Sequence, residues 1–245
     1  MSPVAVRKAP IAWVGGLLAA IAICSRTVWV RPAGLAAITL VGTPAIVDAD
    51  EMRTFAVSVD GKPAGTYTLA TAWAADGTET IVASAEVKVK TTFFTYTYEL
   101  QSTEIWKSGQ LISINARSND DGKQHVVTSD TKSGVMTVTV DKDTRKIPAS
   151  ILTATGVRVP AGNEARDAIL FDSEDGSDSK VRVEPLGPCR LTFNGKVLEG
   201  SKYKLTGKGI AAEWWFDSNG RPIRQENKWD GHKVMFELTS VVQRR

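Results

Sequence analysis

The chain has 245 residues, 42% of them apolar, and its 30 basic and 27 acidic side chains give a net charge of +3. That excess sits in the first 49 residues, where Arg7, Lys8, Arg26 and Arg31 face only Asp48, so the remainder carries equal numbers of acids and bases. That balance gives little support to a basic face of the kind with which proteins track phosphate backbones, and no nucleic-acid partner is expected.

Residues 1–49 read as an export leader. They hold two apolar stretches, 9–24 and 33–41, each shorter than the roughly 18–20 residues of a membrane-spanning helix. Arg26 and Arg31 precede the second stretch, and Val47-Asp48-Ala49 offers small or apolar residues where a signal peptidase inspects the chain. Cleavage is expected after Ala49. The doubled stretch also fits a translation start near Val28 or Val30, or an anchor made by residues 9–24. Cys24 follows Ile23 rather than a small residue, which disfavours lipid attachment. Beyond the leader only Cys189 remains, so stability must come from a packed core rather than disulfides.

Residues 50–245 are punctuated by seven Asx-Gly pairs, at 60–61, 76–77, 121–122, 175–176, 194–195, 219–220 and 230–231. Such pairs tolerate the positive φ of type I′ turns and join antiparallel strands. Between them apolar residues alternate, as in Phe55, Val57 and Val59, or Ile81, Ala83, Ala85, Val87 and Val89. Residues 92–106 carry Phe94, Tyr96, Tyr98, Leu100 and Trp106 on one parity and polar residues on the other, which suits a half-buried strand. Strands continue over 111–119, 125–129 and 135–140. Prolines interrupt the pattern from 147 to 161, and 163–171 reads as a short helix capped by Asn163. Strands resume at 180–184, 190–193, 196–206, 211–217, 223–229 and 233–242. The expectation is one domain over 50–245, mainly β, built as a curved antiparallel half-barrel of about ten strands with a short helical plug.

The order of several signatures strengthens that reading. Phe55-x-Val57-x-Val59-Asp60-Gly61-Lys62-Pro63-x-Gly65, Tyr96-x-Tyr98, Ile105-Trp106-x-x-Gly109-x-Leu111, Trp214-Trp215-Phe216-Asp217, Gly220-Arg221-Pro222-Ile223 and Trp229-Asp230-Gly231 together resemble a family of exported bacterial proteins of unknown function. The resemblance implies a half-barrel wrapped around a helical plug, similar in architecture to the periplasmic and outer-membrane lipoprotein carriers (LolA/LolB-like). Where related sequences place a bulky aromatic after Pro-x-Ser, this chain has Ile151.

Catalysis has little to stand on. His125 and His232 both follow Asp-Gly turns, and neither belongs to a metal-binding helix motif or a nucleophile elbow. Two histidines and one cysteine lack any recognised ligand spacing, so neither a metal nor a cofactor is expected. The aromatic residues carry the remaining signal. Packing explains most of them, since each ring buries roughly 150–250 Å². Some could instead line an apolar cavity on the concave face, and Phe94, Tyr96, Tyr98, Trp106, Trp214 and Trp215 are the candidate ligand-binding residues. Adjacent Trp214 and Trp215 must face opposite sides of a strand, which leaves one of them outside the core and open to ligand or peripheral membrane contact. The expected function is non-catalytic binding or carriage of a lipid or acyl chain in the bacterial envelope. The alternative is a structural module that binds an envelope protein and no small ligand.

Overall fold

A computed structural model describes residues 49–90, 95–229 and 231–244. The expected leader, apart from its last residue Ala49, and Phe94 lie outside the described residues. Among those described, every regular element is a strand. The fifteen are β1 (Glu51–Val59), β2 (Lys62–Trp73), β3 (Thr78–Lys90), β4 (Thr95–Lys107), β5 (Gln110–Asp120), β6 (Lys123–Lys132), β7 (Val135–Val140) and β8 (Asp143–Pro148), followed by β9 (Leu152–Thr153), β10 (Arg166–Phe171), β11 (Asp178–Phe193), β12 (Lys196–Gly207), β13 (Ile210–Asp217), β14 (Pro222–Trp229) and β15 (His232–Gln243).

All fifteen join one sheet, in the order β8-β7-β6-β5-β4-β3-β2-β1-β15-β14-β13-β12-β11-β10-β9. Every pairing is antiparallel except the two-residue β9–β10 contact. The turns explain this regularity. All seven Asx-Gly pairs lie between antiparallel neighbours, and their glycines take φ between 71° and 95°. Asp60, Asp121 and Asn194 adopt positive φ as well, the signature of a type I′ turn.

The sheet exceeds the expected ten strands because the segment expected to be irregular or helical also joins it. No helix forms over 163–171. Instead Arg166–Phe171 pairs with residues 178–183 of β11, from Arg166↔Val183 to Phe171↔Asp178. Leu170 and Phe171 are buried there, and the ladder supplies the backbone partners that a lone helical turn would leave unmade. Likewise the strands expected at 180–184 and 190–193 are one strand, β11, bent by a register shift between Pro185 and Gly187. Its prolines are tolerated because β10 covers only residues 178–183, which leaves the outer edge beyond them unpaired.

The sheet curls around its own chain. Its two edges, β8 and β9, are separated by only three residues, so the edges meet at one end although no ladder joins them. Both are short, as protected edges are. Chain around Thr155 and over 172–176 runs inside, where Tyr67 Oη of β2 and Gln225 Nε2 of β14 both donate to the Thr155 carbonyl, each at 3.1 Å. Ser118 of β5 donates to the Glu174 carbonyl at 2.9 Å, and Arg145 of β8 reaches the Gly176 carbonyl. A plug therefore exists, but it is irregular chain tied down by polar bonds rather than a helix. Ile151, where an aromatic was the family expectation, is buried in the main core.

Candidate functional site

The inner face of the sheet supplies the site. Alternation along β2, β3, β4 and β15 points Tyr67, Ala85, Tyr98, Leu100 and Phe236 inward, where Tyr67 and Phe236 meet edge to face at 5.5 Å. Against them lie Ala154 and Thr155 and the turn Asp172–Glu174. What remains between sheet and plug is a cavity of about 110 Å³, to which Gln225 and Asn227 add polar side chains.

Two buried carboxyls face this interior in different settings. Glu104 is 1% exposed and accepts from Trp106 Nε1 (2.9 Å), Thr153 Oγ1 (3.1 Å) and Thr155 Oγ1 (2.6 Å). Burial raises its pKa, while those three donors and the charge of Arg158 pull the other way. Glu174 has no such cationic help. Burial, then repulsion from Asp172, pushes its carboxyl up to about 10, and a hydrogen bond with Tyr98 only partly offsets this. The lower end of the plug is fixed by ions: Arg158 and Arg221 both pair with Glu79, and their guanidinium groups lie 5.0 Å from the Trp106 ring and 4.4 Å from the Trp73 ring.

The candidate aromatics are dispersed. Tyr98 lines the cavity. Tyr96 is buried and donates to Asp120 Oδ1 at 2.8 Å. Trp106 is buried as the partner of Glu104 and Arg158. Trp214 packs edge to face on Phe216 at 6.4 Å, in a second cluster with Tyr203, Leu205 and Val183. Trp215 occupies the opposite face, between Lys202 Nζ at 4.6 Å and the Arg224 guanidinium at 5.2 Å. Neither tryptophan is outside the core: Trp214 is 2% and Trp215 8% exposed. The expectation that one of the pair lies outside the core fails, because two cations cover the Trp215 ring. Sequence reasoning missed Tyr67, Phe236, Gln225 and Glu174 as lining residues, although Tyr67 and Phe236 share the inward parity of their strands.

The histidines sit at turns, each against a neighbouring aspartate: His125 Nδ1 is 3.2 Å from Asp141 and His232 Nδ1 is 2.6 Å from Asp60. Among the described residues no three His, Cys, Asp or Glu side chains converge as a metal site would require.

Comparison with known proteins places the chain. No curated protein matches it. A crystal structure of a beta-barrel-like protein of a domain of unknown function, DUF1849, from Brucella abortus is similar to it, with a TM-score of 0.59 and 11% identity over 80% of this chain and 98% of that one. At that identity the likeness is one of fold. Residues 55–239 match the domain of unknown function DUF6134, and the chain belongs to that family.

Proposed function

We propose that this protein is an exported, non-catalytic interaction module of the bacterial envelope, which binds another envelope component through its outer surface. The observation that carries this reading is the filled interior. A cavity of about 110 Å³ is well below the roughly 300 Å³ at which small-molecule sites begin, and an acyl chain needs more. The inner chain is bonded to β2, β4, β5, β8 and β14, a set of ties that suits an interior serving stability.

Carriage of an acyl chain is the second reading. It draws support from the rings of Tyr67, Tyr98 and Phe236 around the cavity, and it requires the inner chain at 154–155 and 172–174 to leave. Native mass spectrometry of protein extracted from its own envelope separates the two. Retained protein partners without bound lipid are expected; a stoichiometric lipid released only on unfolding would overturn the module in favour of the carrier. N-terminal sequencing tests export, with Asp50 as the expected first residue and a chain still starting near Met1 as the refuting result.

A further inference from the structure

The pairing of β2 with β3 stops short at one end. Their ladder ends at the Gly65↔Val87 pair, yet β2 begins at Lys62 and β3 continues to Lys90. The cause is local. A register shift sets Val57 opposite Gly65 but Ser58 opposite Pro63, leaving Ala64 as an extra residue, and Pro63 has no amide to donate. Gly65 lies so close to the Glu86 carbonyl that a Cβ would collide with it. The two strands touch there and diverge beyond it.

Between the diverging ends is a recess of about 370 Å³. Lys62, Lys88 and Lys90 line it, with His232 arriving from the β14–β15 turn. Some lysines elsewhere are paired, Lys107 with Asp76, Lys202 with Glu213 and Lys233 with Glu226. None of the three at the recess forms an ion pair among the described residues. The one carboxylate that lines it, Asp60, is already engaged: Oδ2 holds His232 Nδ1 at 2.6 Å and Oδ1 accepts the Lys233 amide at 2.9 Å. Asp60 also feels the charge of Lys62, so the recess sets three lysines against one engaged carboxylate, while Val59, Ala64 and Val89 give it an apolar wall.

We propose that this recess binds the phosphate group of an organic phosphate, with Lys62, Lys88 and Lys90 as its point-charge ligands. Lysine ammonium groups suit phosphate oxygens without imposing a planar geometry. The apolar wall and the volume favour a phosphate with a carbon substituent over the bare ion. The inference rests on the outer-surface reading only in taking the rim as the working surface, and it holds whether or not a protein partner is found.

The test uses the purified protein at low salt, titrated with glycerol 3-phosphate and floated with phosphatidylcholine vesicles with and without phosphatidylglycerol. Binding in at least one arm is expected, weakened about tenfold or more by replacing Lys62, Lys88 and Lys90 with Gln. The same change at Lys142, Lys180 and Lys208, outside the recess, should leave it intact. Binding of glycerol 3-phosphate identifies a soluble phosphoester as sufficient, and binding only to phosphatidylglycerol vesicles identifies a lipid headgroup; both support the site. No binding in either arm, equal loss in both triple variants, or equal competition by inorganic phosphate would overturn it. None of these results bears on which envelope proteins co-purify, so the two readings fail separately.

Discussion

Two tryptophans of similar burial make unequal demands. Trp106 gives its Nε1 proton to a carboxyl that is 1% exposed, whereas Trp214 Nε1 is buried with no partner. Trp106→Phe should cost about 2–4 kcal/mol, because it removes ring area and a donor from Glu104, whereas Trp214→Phe removes an unmet donor along with its area and should cost about 1 kcal/mol or less. Urea denaturation of both variants checks the difference, and equal losses would show that the Glu104 bond contributes little. Glu174 gives a pH-dependent counterpart. Its folded pKa of about 10 lies above the ordinary 4.5, so the folded state binds the proton more tightly than the unfolded chain. Its penalty is absent below pH 4.5 and grows as pH rises towards 10, reaching roughly 3 kcal/mol at pH 7. Glu174→Gln should therefore flatten the decline of stability with pH across that window and raise the stability measured at pH 8. An unchanged slope would show that the carboxyl is already ionised at neutral pH.

At the scale of elements, the turns were legible and the plug was not. An Asx-Gly pair declares its backbone conformation locally, so six of the seven hairpins could be placed from sequence, the exception being the one at Asp175-Gly176. Ser108-Gly109, Ser133-Gly134 and Asp141 turn the chain in the same way, with positive φ, but carry a weaker local signal. The segment Arg166–Phe171 is too short to show a period, and its conformation is decided by β11, which reaches it through the Asp175-Gly176 turn. The strands of the candidate site were legible as well. Its carboxyl lining was not, because Glu174 owes its position to a loop held by Ser118 of β5, 56 residues away. Gly65 is the element-scale position most open to test. Its backbone abuts β3 where the ladder ends, so Gly65→Ala should cost about 1–3 kcal/mol, read as a lower urea midpoint. A neutral result would mean that the strands separate there without strain.

The whole molecule depends on one long-range pairing. Every other neighbour in the sheet is consecutive in sequence, but β1 and β15 pair from Glu51↔Gln243 to Val59↔Val234 at the centre of the order. Removing β15 would divide the sheet into β1–β8 and β9–β14. A chain ending at Gly231 should accordingly lose its cooperative unfolding transition; a sharp transition in urea would show that the halves are held together by the plug alone.

That seam also fixes an order of events at the chain's birth. β1, with Phe55, Val57 and Val59 on one face, gains β2 at once but keeps its other edge bare until β15 has been synthesised. A bare alternating edge is the surface most prone to pairing with a stranger. That edge is thus exposed to misassembly throughout the synthesis of the strands between β1 and β15, and its closure waits on β15.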